Sequence, residues 1–447
     1  MFKVLNNYKS HYISILKLGI PVILAQLGQI TVGLIDNMMI GMVGTQELAA
    51  ASFANTIFSL VIIFGMGFSF VLTPLVSQAR GNFNIVGVGA WFYNGMVSMF
   101  GMGLLLCGFL VIAICFMDKM GQPQEIVVAA QQYLGILTVS VPFMMIFFGF
   151  KQFSEGVANT KVAMYIMLMA NLVNIIGNYL FIYGKFGCPA IGLNGAGVGS
   201  LMARIFMAFV FYLVMIKGRS FQRYRASISR AKLRWKNIRR IWGMGLPIGA
   251  QLVMEASAFM LSTIMMGWIS VEGLAAHQIA LSISTLSFML YQGIAASTTI
   301  CISSLYGQKN WVEIKETGWA AIHLVLAMVV VLSTLFLTLR NVLPSLFSKE
   351  PAVIGLTAQF IVVMVIYQFF DALQIVFGSI LRGLSDVNIP SLMTFVAYFL
   401  VSLPTSYLCA FCLGMGEVGV WWGLPVGLAT AAMLFMLRFK SLVNRSL

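Results

Sequence analysis

Two stretches decide the fold: LGIPVILAQLGQITVGLIDNMMIGMVGTQELAA at residues 18–50, and MGLPIGAQLVMEASAFMLSTIMMGWISVEGLAA at residues 244–276. Each opens with an apolar run longer than the about 20 residues a helix needs to cross a bilayer. Laid one over the other, they bring Gly19, Pro21, Met39 and Gly41 onto Gly245, Pro247, Met265 and Gly267. Leu48-Ala49-Ala50 then meets Leu274-Ala275-Ala276. Without a gap, Ala54, Leu60, Gly67, Thr73, Ser77, Gly81 and Asn84 meet Ala280, Leu286, Gly293, Thr299, Ser303, Gly307 and Asn310. Single matches mean little in Gly/Ala-rich helices, but one constant offset held from Gly19 to Asn84 marks an internal repeat.

Outward from these stretches the chain stays apolar. Of its 447 residues 60% are hydrophobic and 9% charged, whereas soluble domains are about half apolar and about a quarter charged. A soluble enzyme and a disordered chain are both excluded, and 13% aromatics fit a packed fold. Twelve apolar stretches are long enough to span a membrane, at 16–42, 46–79, 90–117, 126–150, 162–184, 192–216, 241–269, 274–306, 318–340, 352–381, 390–415 and 418–437. Runs of this length, without the period-two alternation of a barrel, predict helices. The chain is therefore read as an all-α integral membrane protein with twelve transmembrane helices. Lys3, Lys9 and Lys17 precede a first span too long for a signal peptide and without a small-residue cleavage pattern, so that span is expected to be retained.

The net charge of +14 finds its explanation in topology. With both termini placed in the cytoplasm, 22 Lys/Arg fall on that side, and Lys119, Lys185, Arg340 and Lys349 fall outside. That is the asymmetry of the positive-inside rule, and it calls for no nucleic acid. Ten basic residues and no acid lie between Lys217 and Arg240, a cytoplasmic connector expected to hold topology and touch anionic lipid. The connector, 218–240, divides an N-lobe at 1–217 from a C-lobe at 241–447, with six helices each. An even number of spans gives both halves the same direction, as in transporters whose parallel repeats are related by an axis along the membrane normal. Two pseudo-symmetric bundles facing a central cleft are the usual framework of alternating access.

Only three of the 13 acids, Asp36, Glu255 and Asp371, lie well inside predicted spans. A charge there costs at least about 2.5 kcal/mol on insertion, so such residues face a bundle interior and mark ion or substrate paths. Each sits on a polar stripe at helical spacing. Span 1 carries Gln26, Gln29, Gly33 and Asp36, span 5 carries Asn171, Asn174 and Asn178, span 7 carries Gln251, Glu255 and Ser262, and span 10 carries Tyr367, Asp371, Gln374 and Gly378. Carboxylates flanked by amides and hydroxyls offer the oxygens that a hard cation prefers; the same polar groups also serve as hydrogen-bond glue between helices. Arg204 is the lone basic residue well inside a span, open to pairing with an acid, snorkelling or contacting lipid. His277 and His323, near span ends, are read as packing residues, as are the cysteines, including the Cys409–Cys412 pair. Thirty Met and 35 Phe suit apolar or cationic ligands as well as lipid.

The sequence holds no Walker lysine loop, no H-E-x-x-H, no G-x-S-x-G and no Cys/His metal cluster. The expectation is a transporter rather than an enzyme, without a cofactor and driven by an ion gradient.

Three blocks carry a family resemblance. Leu246-Pro247, Gln251, Glu255 and Leu274-Ala275-Ala276-His277-Gln278-Ile279-Ala280-Leu281 form the first. Ile366-Tyr367-Gln368-Phe369-Phe370-Asp371-Ala372-Leu373-Gln374 with Leu381-Arg382-Gly383, and Asn174-x-x-x-Asn178-Tyr179 with Phe181-Ile182-Tyr183-Gly184-Lys185, are the others. Together they resemble the MATE (multidrug and toxic compound extrusion) transporters, in particular their bacterial NorM-like branch. The resemblance implies a multi-pass protein of the bacterial cytoplasmic membrane, monomeric, exporting small organic and often cationic drugs in exchange for Na⁺ or H⁺. It implies an N-lobe cation site at Asp36, Asn174, Asn178 and Ser200, and a C-lobe site at Glu255, Tyr367 and Asp371. Gln26, Gln29, Gln251, Tyr291 and Gln374 are then expected to line the substrate cleft. Asn178 stands where some branches carry aspartate, leaving one carboxylate in the N-lobe, and Tyr291 stands where NorM-like members often have proline. The nearest rival is a flippase of lipid-linked oligosaccharides or lipid precursors from the same superfamily; a channel or an intramembrane enzyme is a more distant one.

Overall fold

A computed structural model describes residues 2–446, with side chains from Tyr8 to Ser446; Met1, Leu447 and the side chain of Lys3 lie outside the described residues. Twelve helices among these residues are long and apolar enough to span a membrane, one for each predicted stretch. They are numbered here as spans: 1 Tyr8–Gly41, 2 Thr45–Gly81, 3 Ile85–Lys119, 4 Gln124–Gly156, 5 Thr160–Tyr183 and 6 Leu193–Lys217. Spans 7 to 12 are Trp235–Ile269, Val271–Gly307, Trp311–Thr338, Pro351–Gly383, Asn388–Cys412 and Gly416–Ser446. Helix is the expected form, because lipid offers no partner for an unpaired backbone N–H or C=O. The basic connector folds into a short helix, Gln222–Ser229, and span 7 begins within it.

The repeat extends to the turns. Asn84 caps span 3 by accepting a hydrogen bond from Gly87 N at 2.8 Å, and Asn310 caps span 9 from Glu313 N at 3.2 Å. The residues before these caps, Phe83 and Lys309, both take left-handed backbone, at φ 52° and 58°. At the exits of spans 4 and 10, Ala158 and Ser385 do the same, each at φ 61°. Thr73 donates to Gln152 O and its counterpart Thr299 to Ser379 O, both at 3.0 Å, tying span 2 to span 4 and span 8 to span 10.

Two compact units emerge, Leu24–Gly249 and Met1–Ile23 with Ala250–Leu447. The boundaries at 23/24 and 249/250 keep the offset of the repeat, each falling just beyond its proline, Pro21 or Pro247. Spans 1 and 7 thus each contribute one half to one unit and one half to the other. Within its unit, the first half of span 1 packs on span 8 so closely that a Cβ on Gly19 would come within 3.1 Å of Gly293 O. The first half of span 7 packs on span 2, where a Cβ on Gly245 would come within 2.7 Å of the Phe68 ring. Small residues at such crossings let membrane helices approach backbone to backbone. Cores of buried aromatic and branched residues fill each unit: Phe150 stacks on Phe211 at 5.4 Å in one, and Phe360 on Trp421 at 5.4 Å in the other.

Candidate functional site

In the Leu24–Gly249 unit, Asp36 comes from span 1, Asn174 and Asn178 from successive turns of span 5, and Ser200 from span 6. Asn178 Nδ2 donates to Asp36 Oδ1 at 2.6 Å and lies 3.4 Å from Asn174 Oδ1. Asn174 Nδ2 donates to Ser200 Oγ at 3.3 Å. The structure therefore brings all four N-lobe residues into one hydrogen-bonded chain. Their closeness depends on glycine: Gly177 and Gly199 face each other across spans 5 and 6, and a Cβ on Gly199 would overlap Asn178 Oδ1. That Oδ1 is buried and has no hydrogen-bond partner. Arg204, one turn after Ser200, donates to Ser140 Oγ, lies over the Phe58 ring at 4.7 Å and acts electrostatically on Asp36. Of the roles the sequence leaves open for Arg204, direct pairing with the acid is not seen among the described residues: its contacts are the hydrogen bond to Ser140 and the Phe58 ring.

The other unit builds a different cluster. Glu255 on span 7 accepts from Gln374 Nε2 at 3.2 Å, and its Oε1 lies 3.0 Å from Tyr398 Oη. Tyr398 Oη is equally 3.0 Å from Gln374 Oε1, and with one hydroxyl hydrogen it donates to only one of the two at a time. Asp371, one turn before Gln374 and 2% exposed, interacts electrostatically with Glu255 and with Tyr291, Tyr367 and Tyr398. Phe259 faces both Tyr367, at 6.1 Å between centroids, and Tyr398, at 6.4 Å. The result is Glu255 hydrogen-bonded to an amide and a phenol, with Asp371 one turn from Gln374 on span 10, oxygen-rich groups of the kind a cation or a shared proton takes.

The five residues expected to line a substrate cleft separate. Gln374 belongs to the acid cluster; Tyr291 is fully buried, and its hydroxyl has no hydrogen-bond partner among the described residues. Gln251 is buried, Gln26 half-buried and Gln29 exposed, and none of these three joins either hydrogen-bonded set. Sequence reasoning missed Tyr398. It stands in Val396–Ser402, where span 11 winds in wide π-type turns, so a 3.6-residue stripe does not predict its facing. The available signal was a tyrosine in an apolar span just before Pro404.

Twelve spans in two repeated halves, with a carboxylate on a polar stripe in each (Asp371 buried, Asp36 and Glu255 half-buried), have a secondary-transporter architecture. The MatE family model matches residues 21–180 and 247–408, two segments whose starts, Pro21 and Pro247, are equivalent positions of the repeat. The chain is 31% identical over 445 residues to "Probable multidrug resistance protein NorM" of Rhizobium meliloti (strain 1021), covering 98% of this chain and 95% of that protein. It is 30% identical over 436 residues to "Multidrug resistance protein MdtK" of Yersinia pseudotuberculosis serotype O:1b (strain IP 31758), covering 96% and 94%. Among solved structures, the eukaryotic MATE transporter AtDTX14 matches with TM-score 0.87 at 19% identity over 98% of both chains. A multidrug resistance MATE family transporter of the MOP superfamily in an outward-facing conformation matches with TM-score 0.90 at 16% identity over 98% and 96%. The chain belongs to the MatE family, in its bacterial NorM-like branch: a membrane transporter, not an enzyme.

Proposed function

We propose that this chain exports small organic, often cationic drugs across the bacterial cytoplasmic membrane, in exchange for Na⁺ or H⁺ moving inward. The observation that carries this reading is the Glu255–Gln374–Tyr398 hydrogen-bonded network, with the buried Asp371 one turn from Gln374 on span 10. An ion arriving from outside is taken up at Glu255 and Asp371 and favours the state that releases drug. Drug arriving from inside favours the opposite state. Ion and drug need not touch, since antiport requires only that each prefer a different state of the two bundles. The Asp36 chain is a second, auxiliary cation site, because it offers a single carboxylate that is already hydrogen-bonded to Asn178. The halves 1–217 and 241–447 act as the moving lobes of a monomer, with both termini and the connector on the cytoplasmic face. Full-length likeness to proteins named for multidrug resistance supports the substrate class.

Ethidium efflux from proteoliposomes, under a Na⁺ gradient or a pH gradient imposed separately, tests the proposal. Efflux driven by one gradient and lost when Asp36→Asn, Glu255→Gln and Asp371→Asn are combined establishes antiport and names the ion. A folded protein that moves no ethidium under either gradient overturns it in favour of a lipid-linked oligosaccharide or lipid-precursor flippase.

A further inference from the structure

Spans 3, 4 and 6 leave an apolar cavity of about 920 Å³ between them, closed at one end by the connector helix Gln222–Ser229. Its walls are Met96 and Phe100 of span 3, Ile146 and Phe150 of span 4, and Phe209 and Tyr212 of span 6. Phe100, Phe209 and Tyr212 are exposed, as are the lining residues Val97 and Ile216, so the cavity opens sideways along the apolar flank of the spans. The lining of span 6 runs from Ile205 to Ile216, about 16 Å of helix rise. A slot of that length, open on the membrane side, has the form of a hydrocarbon chain.

The closed end is basic. Arg225 lines the cavity and is anchored from behind: its Nε donates to Met215 O at 3.0 Å and its Nη2 to Gly218 O, at the end of span 6. These bonds engage two of the five N–H groups of the guanidinium and fix its plane, leaving the others for an anion. Lys217, Arg219, Arg223 and Arg230 surround it in sequence, in a segment without an acid. Basic pockets between spans at the membrane surface are where anionic headgroups settle. We propose that this cavity is a site for one anionic phospholipid of the leaflet facing the connector, with an acyl chain between spans 3, 4 and 6 and the phosphate on Arg225. The proposal does not depend on what the protein transports.

The test is native mass spectrometry of the full-length protein released from detergent, after titration with phosphatidylglycerol or, separately, with phosphatidylcholine of the same acyl chains. One phosphatidylglycerol is expected to be retained at least tenfold more strongly than phosphatidylcholine. Arg225→Gln should remove that preference. Because Arg225 also ties down the end of span 6, Val97→Trp supplies a second test: it fills the cavity from an exposed position, leaves the guanidinium in place, and should remove retention of the lipid itself. Phosphatidylglycerol carrying a diazirine in its acyl chain should crosslink to peptides of spans 3, 4 and 6. Equal retention of the two lipids by the wild type, undiminished retention in Val97→Trp, or crosslinks confined to other spans would each overturn the proposal.

Discussion

The two acid clusters are built on one repeat and are not copies of each other. At the offset of the repeat, Asp36 of span 1 corresponds to Ser262 of span 7, and Glu255 of span 7 to Gln29 of span 1. Ser262 donates to Ala258 O within its own helix at 3.0 Å, and Gln29 is exposed. The repeat thus fixes helix direction, caps, turns and glycine crossings, while the carboxylates sit two turns apart along equivalent helices, about 10 Å in depth. The surroundings differ too. Asp36 is one carboxylate that accepts a hydrogen bond from the Asn178 amide. Glu255 and Asp371 are two carboxylates held among tyrosines, and Arg382, the basic group acting on Glu255, lies three turns along span 10 from Asp371.

Breaking the richer cluster should have the largest effect. Asp371→Asn is expected to reduce gradient-driven ethidium efflux to the level of protein-free liposomes, with membrane insertion and the elution profile unchanged. Tyr398→Phe removes a hydrogen bond to a charged acceptor, worth about 1.5–3 kcal/mol, and should weaken cation binding roughly tenfold or more while leaving expression intact; a cation titration of the purified protein measures it. Asp36→Asn keeps an oxygen acceptor for Asn178 and removes only the negative charge, so efflux should slow a few-fold and persist. Gly199→Ala presses a methyl group onto Asn178 Oδ1 and should destabilise its unit by about 1–3 kcal/mol, read as a lowered thermal midpoint with coupling retained. An inverted order for Asp36→Asn and Asp371→Asn would break the comparison outright.

The fold was legible because burial in lipid selects for hydropathy above every other property of a helix. Twelve apolar runs became twelve spans, and the correspondence of Pro21 with Pro247 revealed the repeat. The exchanged halves of spans 1 and 7 were not legible, since packing partners inside a lipid-facing helix leave no mark on its hydropathy. The acids stood out because an ionisable group in an apolar run is costly; the 3.6-residue stripe placed Gln374 beside Asp371, while the grouping of Asn174 and Asn178 with Asp36 came from the family resemblance. Tyr398 escaped because the wide turns of span 11 shift its register, and because tyrosine is common in apolar spans. Gln26 and Gln29 show the converse: helical spacing puts polar groups on one face without supplying a partner on the next helix. Glu155, beyond the predicted stretch 126–150, lies in span 4 and is buried there with Lys151 at 3.8 Å, a pairing the spacing of four permits but does not require.

The proposed coupling rests on the cation being held by the unit that carries Glu255 and Asp371. Displacement of bound ethidium from the purified protein, titrated with Na⁺ and with acid, tests this directly in Asp36→Asn and Asp371→Asn. Asp36→Asn is predicted still to release ethidium when the coupling cation is added, and Asp371→Asn to bind ethidium but no longer release it. Release preserved in Asp371→Asn and lost in Asp36→Asn would contradict this, and would move the coupling site to the chain of Asp36, Asn178, Asn174 and Ser200.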